Sequence, residues 1–181
     1  MKSKLDETQK ILDKTLEMEG CNLQSLACYQ SLHDEHDNLF FEGDVKNDKA
    51  NGKGRLYYPN GVVEYEGHFY DNMLDGVGSL YSEIGNLLYE GMYKSGFRNG
   101  YGVEYYHTGA KLYEGDWIRD KWHGVGRWYN ILEEIIYHGE FEFGFPKNSK
   151  KKFPKENYFK GDHKLEAADF GNKDILKGAS I

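Results

Sequence analysis

The stretch YEGHFYDNMLDGVGSLY, Tyr65 to Tyr81, decides how this chain is read. It returns 24 residues later as YEGMYKSGFRNGYGVEY, Tyr89 to Tyr105, and again as YEGDWIRDKWHGVGRWY, Tyr113 to Tyr129. A recurrence on one pitch reports repeated architecture before anything else. Worked outward, the first place of the unit reads Phe41, Tyr65, Tyr89, Tyr113 and Tyr137. The third is always glycine: Gly43, Gly67, Gly91, Gly115 and Gly139. The fifth reads Val45, Phe69, Tyr93, Trp117 and Phe141. Later places hold Gly54, Gly78, Gly102 and Gly126, then Tyr57, Tyr81, Tyr105 and Tyr129.

The spacing is that of strands. In YEGHF, Tyr65, Gly67 and Phe69 fall on one face, and Glu66 and His68 on the other. GVGSLYS is a second short extended run, and six or so turn-like residues such as YDNMLD lie between the two. Each unit therefore reads as a β-hairpin. A turn glycine, Gly61, Gly85 or Gly109, joins each of the first three units to the next, and Glu133 stands in that place in the fourth. An altered or strained connection is expected there. Glycine inside a strand costs about 0.5–1 kcal/mol against alanine, so its recurrence needs a reason. The reason is room: with no side chain at Gly67 or Gly78, a neighbouring ring can rest on bare main chain.

The expected fold is mainly β, an elongated, twisted, antiparallel single-layer sheet of tandem β-hairpins with short N-terminal helices and an irregular C-terminal tail. Two strands per unit at about 4.8 Å give roughly 10 Å per repeat and a ribbon on the order of 45 Å long. Three regions follow: residues 1–40, a helical cap or docking extension; 41–144, about four and a half repeats; and 145–181, a basic tail.

Composition agrees with a core of rings and glycine: 15 Tyr, 10 Phe, 3 Trp and 22 Gly in 181 residues. Net charge is −7, which argues against bulk attraction to nucleic acid. The charge is uneven. Residues 41–145 carry 10 basic and 17 acidic side chains, whereas residues 146–181 carry 9 basic and 5 acidic. The N-terminus lacks the pattern of a signal peptide, and no apolar run approaches the roughly 18 residues of a membrane span. On a shared helix, Cys21 and Cys28 would lie about 10 Å apart along the axis, too far for a disulfide. The expectation is an intracellular, reducing location.

The motif residues resemble the MORN repeat family, whose pattern runs roughly YEGxWxxGxxxGxGxxxYxxG. The match covers about residues 41–144, with Val45, Glu133 and His138 departing from it. The resemblance implies a twisted hairpin array with an aromatic-lined groove. It also implies a scaffolding role: cytoskeletal and ciliary assembly, membrane-apposed structures, and docking of partner helices or enzyme domains.

The flanks carry less pattern. Leu5, Ile11, Leu12, Leu16 and Met18 form a loose helical stripe, and Leu23, Leu26, Ala27 and Leu32 continue it. Such helices either cap the first hairpin's open edge or dock another protein. The tail carries KNSKKKFPK, Lys147 to Lys155. Lys150, Lys151 and Lys152 are candidates to touch anionic lipid or an acidic protein surface, against the plainer reading of a solvated run.

No catalytic constellation emerges, and no cofactor, metal or small-molecule substrate is implied. GVG and GYG lack the third glycine and the helix of a dinucleotide loop. HDEHD, His33 to Asp37, has two imidazoles but no further ligand set, and reads as a solvated linker. His68, His107 and His123 read as surface residues. Glu42, Glu66, Glu90 and Glu114 form a row because stacking turns any recurrent residue into one, and a structural hydrogen-bonding role is expected.

Two candidate partner surfaces remain. One is the aromatic face: Tyr65, Phe69, Tyr81, Tyr89, Tyr93, Tyr105, Tyr113, Trp117 and Tyr129. The other is a ridge of apolar turn tips, Met73, Leu74, Phe97 and Trp122, which otherwise pack on one another. The expected function is a non-catalytic scaffold or adaptor binding a partner helix or extended segment, in a ciliary, axonemal or other cytoskeletal assembly. The alternatives are a membrane-surface module for anionic phospholipid, and a regulatory subunit for an enzyme on another chain.

Overall fold

The computed structural model describes residues 21–22 and 27–147. Every regular element in them is a strand: β1 (Cys21–Asn22), β2 (Ala27–His33), β3 (Leu39–Lys46), β4 (Lys49–Tyr57), β5 (Val63–Tyr70), β6 (Met73–Tyr81), β7 (Leu87–Lys94), β8 (Phe97–Tyr105), β9 (Lys111–Ile118), β10 (Lys121–Tyr129), β11 (Ile135–Glu142) and β12 (Phe145–Pro146). They form one open sheet in chain order, each strand antiparallel to the next. The hairpin array expected from the pitch is present.

The hairpin turns are tighter than the sequence suggests. Asp71 and Asn72 alone connect β5 to β6, with φ of 52° and 69°. Asn47–Asp48, Ser95–Gly96, Arg119–Asp120 and Phe143–Gly144 repeat this positive-φ pair. Two such residues match the twist of the flanking strands, so the strands run on to the turn. Met73, Leu74, Phe97 and Trp122 consequently begin strands and are not tips.

The N-terminal flank differs from expectation. Residues 27–33 are not helical: they form β2, with Tyr29 opposite Asp44 and Leu32 opposite Phe41 on β3. An open edge offers a row of unpaired N–H and C=O groups, and satisfying it overrides a weak helical pattern. The edge of the first hairpin is covered, by a strand. The stripe from Leu5 to Met18, Leu23 and Leu26, and Lys150–Lys152 lie outside the described residues. Cys28 is disulfide-bonded, and Cys21, the chain's one other cysteine, is its partner in the β1–β2 register. Extended pairing brings together positions that a helix would separate, so the cysteines do not argue for a reducing compartment.

Glu133 keeps the form of the connection it occupies. Its N–H donates to the Asn130 carbonyl at 2.9 Å, as Gly109 does to Tyr106. Its φ is 61°, where Gly61, Gly85 and Gly109 have 81°, 85° and 87°. The turn is unaltered, and the strain lies in a left-handed glutamate.

Glycines pair with glycines across nine successive strands, from Gly43–Gly54 through Gly67–Gly78, Gly91–Gly102 and Gly115–Gly126 to Gly139. The Tyr65, Tyr89 and Tyr113 rings rest on this track, where a Cβ on Gly78, Gly102 or Gly126 would overlap them. Each hydroxyl donates to the carbonyl three residues on, at 3.2 Å to His68, 3.1 Å to Met92 and 2.9 Å to Asp116.

Beside the track, one residue faces three. Between the Gly67–Gly78 and Phe69–Leu74 pairs, His68 opposes Asp75, Gly76 and Val77, and the other units repeat the irregularity. Bulges bend strands, which is how a single layer hides its rings. Tyr65, Tyr89 and Tyr113 are fully buried. Edge-to-face contacts with centroids 5.1–5.4 Å apart run from Phe41 through Phe69, Tyr65, Tyr93, Tyr89, Trp117, Tyr113 and Phe141 to Tyr137. Each such contact contributes about 0.5–1.5 kcal/mol beyond its buried area.

Candidate docking surface

The sheet divides the expected aromatic surface in two. Tyr65, Phe69, Tyr89, Tyr93, Tyr113 and Trp117 are 0–5% exposed and form the core. They build the platform and offer little to a partner. Tyr81, Tyr105 and Tyr129 are half-buried and belong to the opposite, outer face, because the strand period sets them off from Leu80, Glu104 and Trp128. Leu74 and Trp122, read as tips, are also core, Trp122 stacking on Tyr113 at 4.5 Å. Met73 and Phe97 are half-buried.

The outer face carries two rows of side chains with the glycine track between them. In the first row Arg55 bridges Glu42 at 3.2 Å and Glu66 at 2.8 Å, and Arg127 and Lys111 meet Glu114 at 3.1 and 2.9 Å. The half-buried tyrosines close the same row. Tyr57 donates to Glu42 at 2.5 Å, Tyr105 to Glu90 at 2.5 Å and Tyr129 to Glu114 at 3.3 Å. The recurrent glutamates therefore have the structural role expected of them. The Tyr57 hydroxyl, aided by Arg55, holds Glu42 below the usual carboxylate range against its partial burial. Partial burial and the same bond push Tyr57 up to about 12. The Lys111 ammonium likewise lowers Glu114.

The second row is more apolar. Lys53 pairs with His68, Val77 with Met92, Tyr101 with Asp116 and Val125 with Glu140. Val77, Met92, Tyr101 and Val125 are 61%, 47%, 53% and 58% exposed. At the N-terminal end the two rows bound a groove of about 430 Å³ over Gly54, Gly67 and Gly78, with Tyr29 and Val77 among its lining. Sequence reasoning missed this row, although the middle residue of GVG and GYG marks it in the second, third and fourth units. Of the three histidines read as surface residues, His68 and His107 are exposed and His123 is half-buried. Among the described residues, no cluster of three or more metal-ligating side chains occurs.

One unit departs from the others inside the fold. Leu74 and Leu80 flank the rings of the second unit, and Trp122 and Trp128 those of the fourth. The third unit has Arg98 and Glu104 in these places. Arg98 Nη1 meets Glu104 Oε1 at 2.9 Å and its Nε meets Asp120 Oδ1 at 3.3 Å. Its guanidinium lies 4.2 Å from the Trp117 ring centroid. Trp122 Nε1 donates to Glu104 Oε2 at 2.9 Å. The substitution is legible in the sequence as a break in the columns Leu74, Arg98, Trp122 and Leu80, Glu104, Trp128.

The MORN repeat family model matches residues 41–63, 65–87, 89–111 and 113–129. Comparison with curated proteins returns no match.

Proposed function

The chain belongs to the MORN repeat family, and from that premise we propose that its sheet is a docking platform for a helix or extended segment of a protein partner. MORN repeats are commonly protein- or membrane-binding modules, generally without catalytic activity. The observation that carries the reading is the exposed row of Val77, Met92, Tyr101 and Val125. Aligned apolar side chains left open beside polar ones suit a partner's apolar stripe. The outer face takes the role first given to the buried rings. The assembly we propose is ciliary or cytoskeletal, as the family's scaffolding role suggests.

The test compares proteins retained from a ciliated-cell extract by the tagged full chain and by Val77→Asp/Tyr101→Asp. Both residues are exposed, so the variant keeps its circular dichroism. Partners held in stoichiometric amount by the native chain and lost by the variant support the reading, as does a tagged copy that localises to cilia. Identical protein sets from both chains overturn it. The lysines at 150–152 favour a second reading, attachment to anionic membranes. Replacing all three with glutamate abolishes flotation with phosphatidylserine vesicles if that reading is right. If the native chain ignores such vesicles at physiological salt, the reading is abandoned.

A further inference from the structure

With Ala50 and Leu56 in the first unit, three units have apolar flanks and one has a charged flank, and they cannot all serve packing equally. An Arg–Glu pair taken out of water stabilises less than well-packed apolar side chains of similar volume. The third unit nevertheless holds that pair among the rings, and a small recess opens beside it, with about 30 Å³ of free volume. Leu74, Leu80 and Leu88 give it apolar walls, and Arg98, Glu104 and Asp120 give it charge. Tyr93 also lines it, only 5% exposed, and its hydroxyl is buried with no hydrogen-bond partner. A buried polar group without a partner is costly, and in the neighbouring units the same place is Phe69 and Trp117.

We propose that this recess, which opens on the ring side of the sheet, receives a lysine side chain from a protein segment lying against that side. Size and charge select the occupant. The free volume admits a group about as large as a water molecule or an ammonium. One arginine against two carboxylates leaves a net charge of −1, so a cation is favoured and an anion repelled. Asp120 Oδ1 is engaged by the Arg98 N–H at 2.8 Å and by its Nε, while Oδ2 takes part in neither contact. The leucines line the path of a methylene stem, as snorkelling lysines require. The ammonium donates to Asp120 Oδ2, to a spare lone pair of Glu104 and to the Tyr93 hydroxyl at the inner wall. The recess and the Val77–Val125 row lie on opposite faces, so the idea goes beyond the platform reading and stands apart from it, and a small cation tests it without any partner.

The test is a titration of the full chain with n-butylammonium, followed by NMR at the Tyr93 ring and the Arg98 side-chain Nε–H. Saturable shifts confined to this unit are expected below about 100 mM, the weak end for a ligand of five heavy atoms. n-Butanol should not reproduce them. Tyr93→Phe removes one acceptor and weakens binding about fivefold while leaving the thermal midpoint unchanged or higher. Asp120→Asn removes the excess charge and weakens it at least about tenfold, which keeps the proposal testable if the first variant folds poorly. No saturation, equal shifts with n-butanol, or unchanged affinity in both variants means that the recess holds a water only, and the proposal fails. The Val77→Asp/Tyr101→Asp comparison reads the opposite face of the sheet, so failure here leaves the platform standing.

Discussion

The ring of Tyr65 rests on Gly78 of the adjoining strand, closely enough that a single added methyl would overlap it. The contact recurs as Tyr89 on Gly102 and Tyr113 on Gly126. It fixes where substitution is tolerated. Gly78→Val or Gly102→Val overfills the contact and lowers unfolding free energy by about 1–3 kcal/mol. Urea denaturation measures the loss. Lys94→Ala, which removes only an exposed pairing with Asp75 at 3.0 Å, changes stability by less than about 1 kcal/mol. Equal effects at Gly78 and Lys94 contradict the ring-on-backbone account.

Arg98 and Glu104 form a coupled pair. Arg98→Leu strands the Glu104 carboxylate beside the rings, and Glu104→Leu leaves the guanidinium with Asp120 as its one remaining carboxylate; each costs about 2–4 kcal/mol. The double change to leucine restores the second unit's pattern. It is expected to cost less than the two single changes together by at least about 1 kcal/mol. Additive losses from a full set of denaturation curves would show that the ionic contact is incidental.

Glu133 holds a backbone conformation that its neighbours give to glycine. Glu133→Gly relieves it at the expense of the bond that Glu133 Oε1 accepts from the Lys111 N–H at 3.1 Å. A net rise of about 0.5 kcal/mol is expected. Glu133→Ala keeps the strain and loses the bond, so it lowers stability. The order Gly above Glu above Ala in thermal midpoint is the result to look for.

Burial pushes the phenols of Tyr65, Tyr89 and Tyr113 well above their ordinary value of 10.0. A raised folded value means that their contribution is fully present below pH 10 and is lost as pH rises through the folded value. The ultraviolet titration should therefore be biphasic. Phenols that stay in contact with solvent ionise first. The ring tyrosines ionise later, together with loss of β-sheet circular dichroism. A single smooth wave near pH 10 with the sheet intact contradicts their burial.

Much of the fold was legible because the pitch repeats and strand geometry has a period of two. Tyr65, Gly67 and Phe69 share a face for the reason read from the sequence. The reading stumbled where local pattern met tertiary demand. Leu32 looked helical and became a strand residue because β3 had an open edge. Leu74 and Trp122 looked like tips because the turn was taken as six residues, when two with positive φ suffice. Tyr81 was grouped with Tyr65 as a recurrent aromatic, although the strand's period of two sets it apart from Leu80, the residue opposite Tyr65, and so on the outer face. Arg98 was visible as a break in a column, but its partners Asp120 and Trp122 come from the next unit and are assigned only by the sheet.

Beyond the strand ladders, one backbone bond ties each hairpin turn to the unit before it: Asn72 to Ala50, Gly96 to Leu74, Asp120 to Arg98 and Gly144 to Trp122. With strands joined only to their neighbours in the chain, tension applied to the two termini would reach these ties one at a time. The ribbon would lengthen in steps of one hairpin, from the outside inward. A platform of this kind would give way gradually under load while its central units, with Val77, Met92 and Tyr101, stayed folded longest.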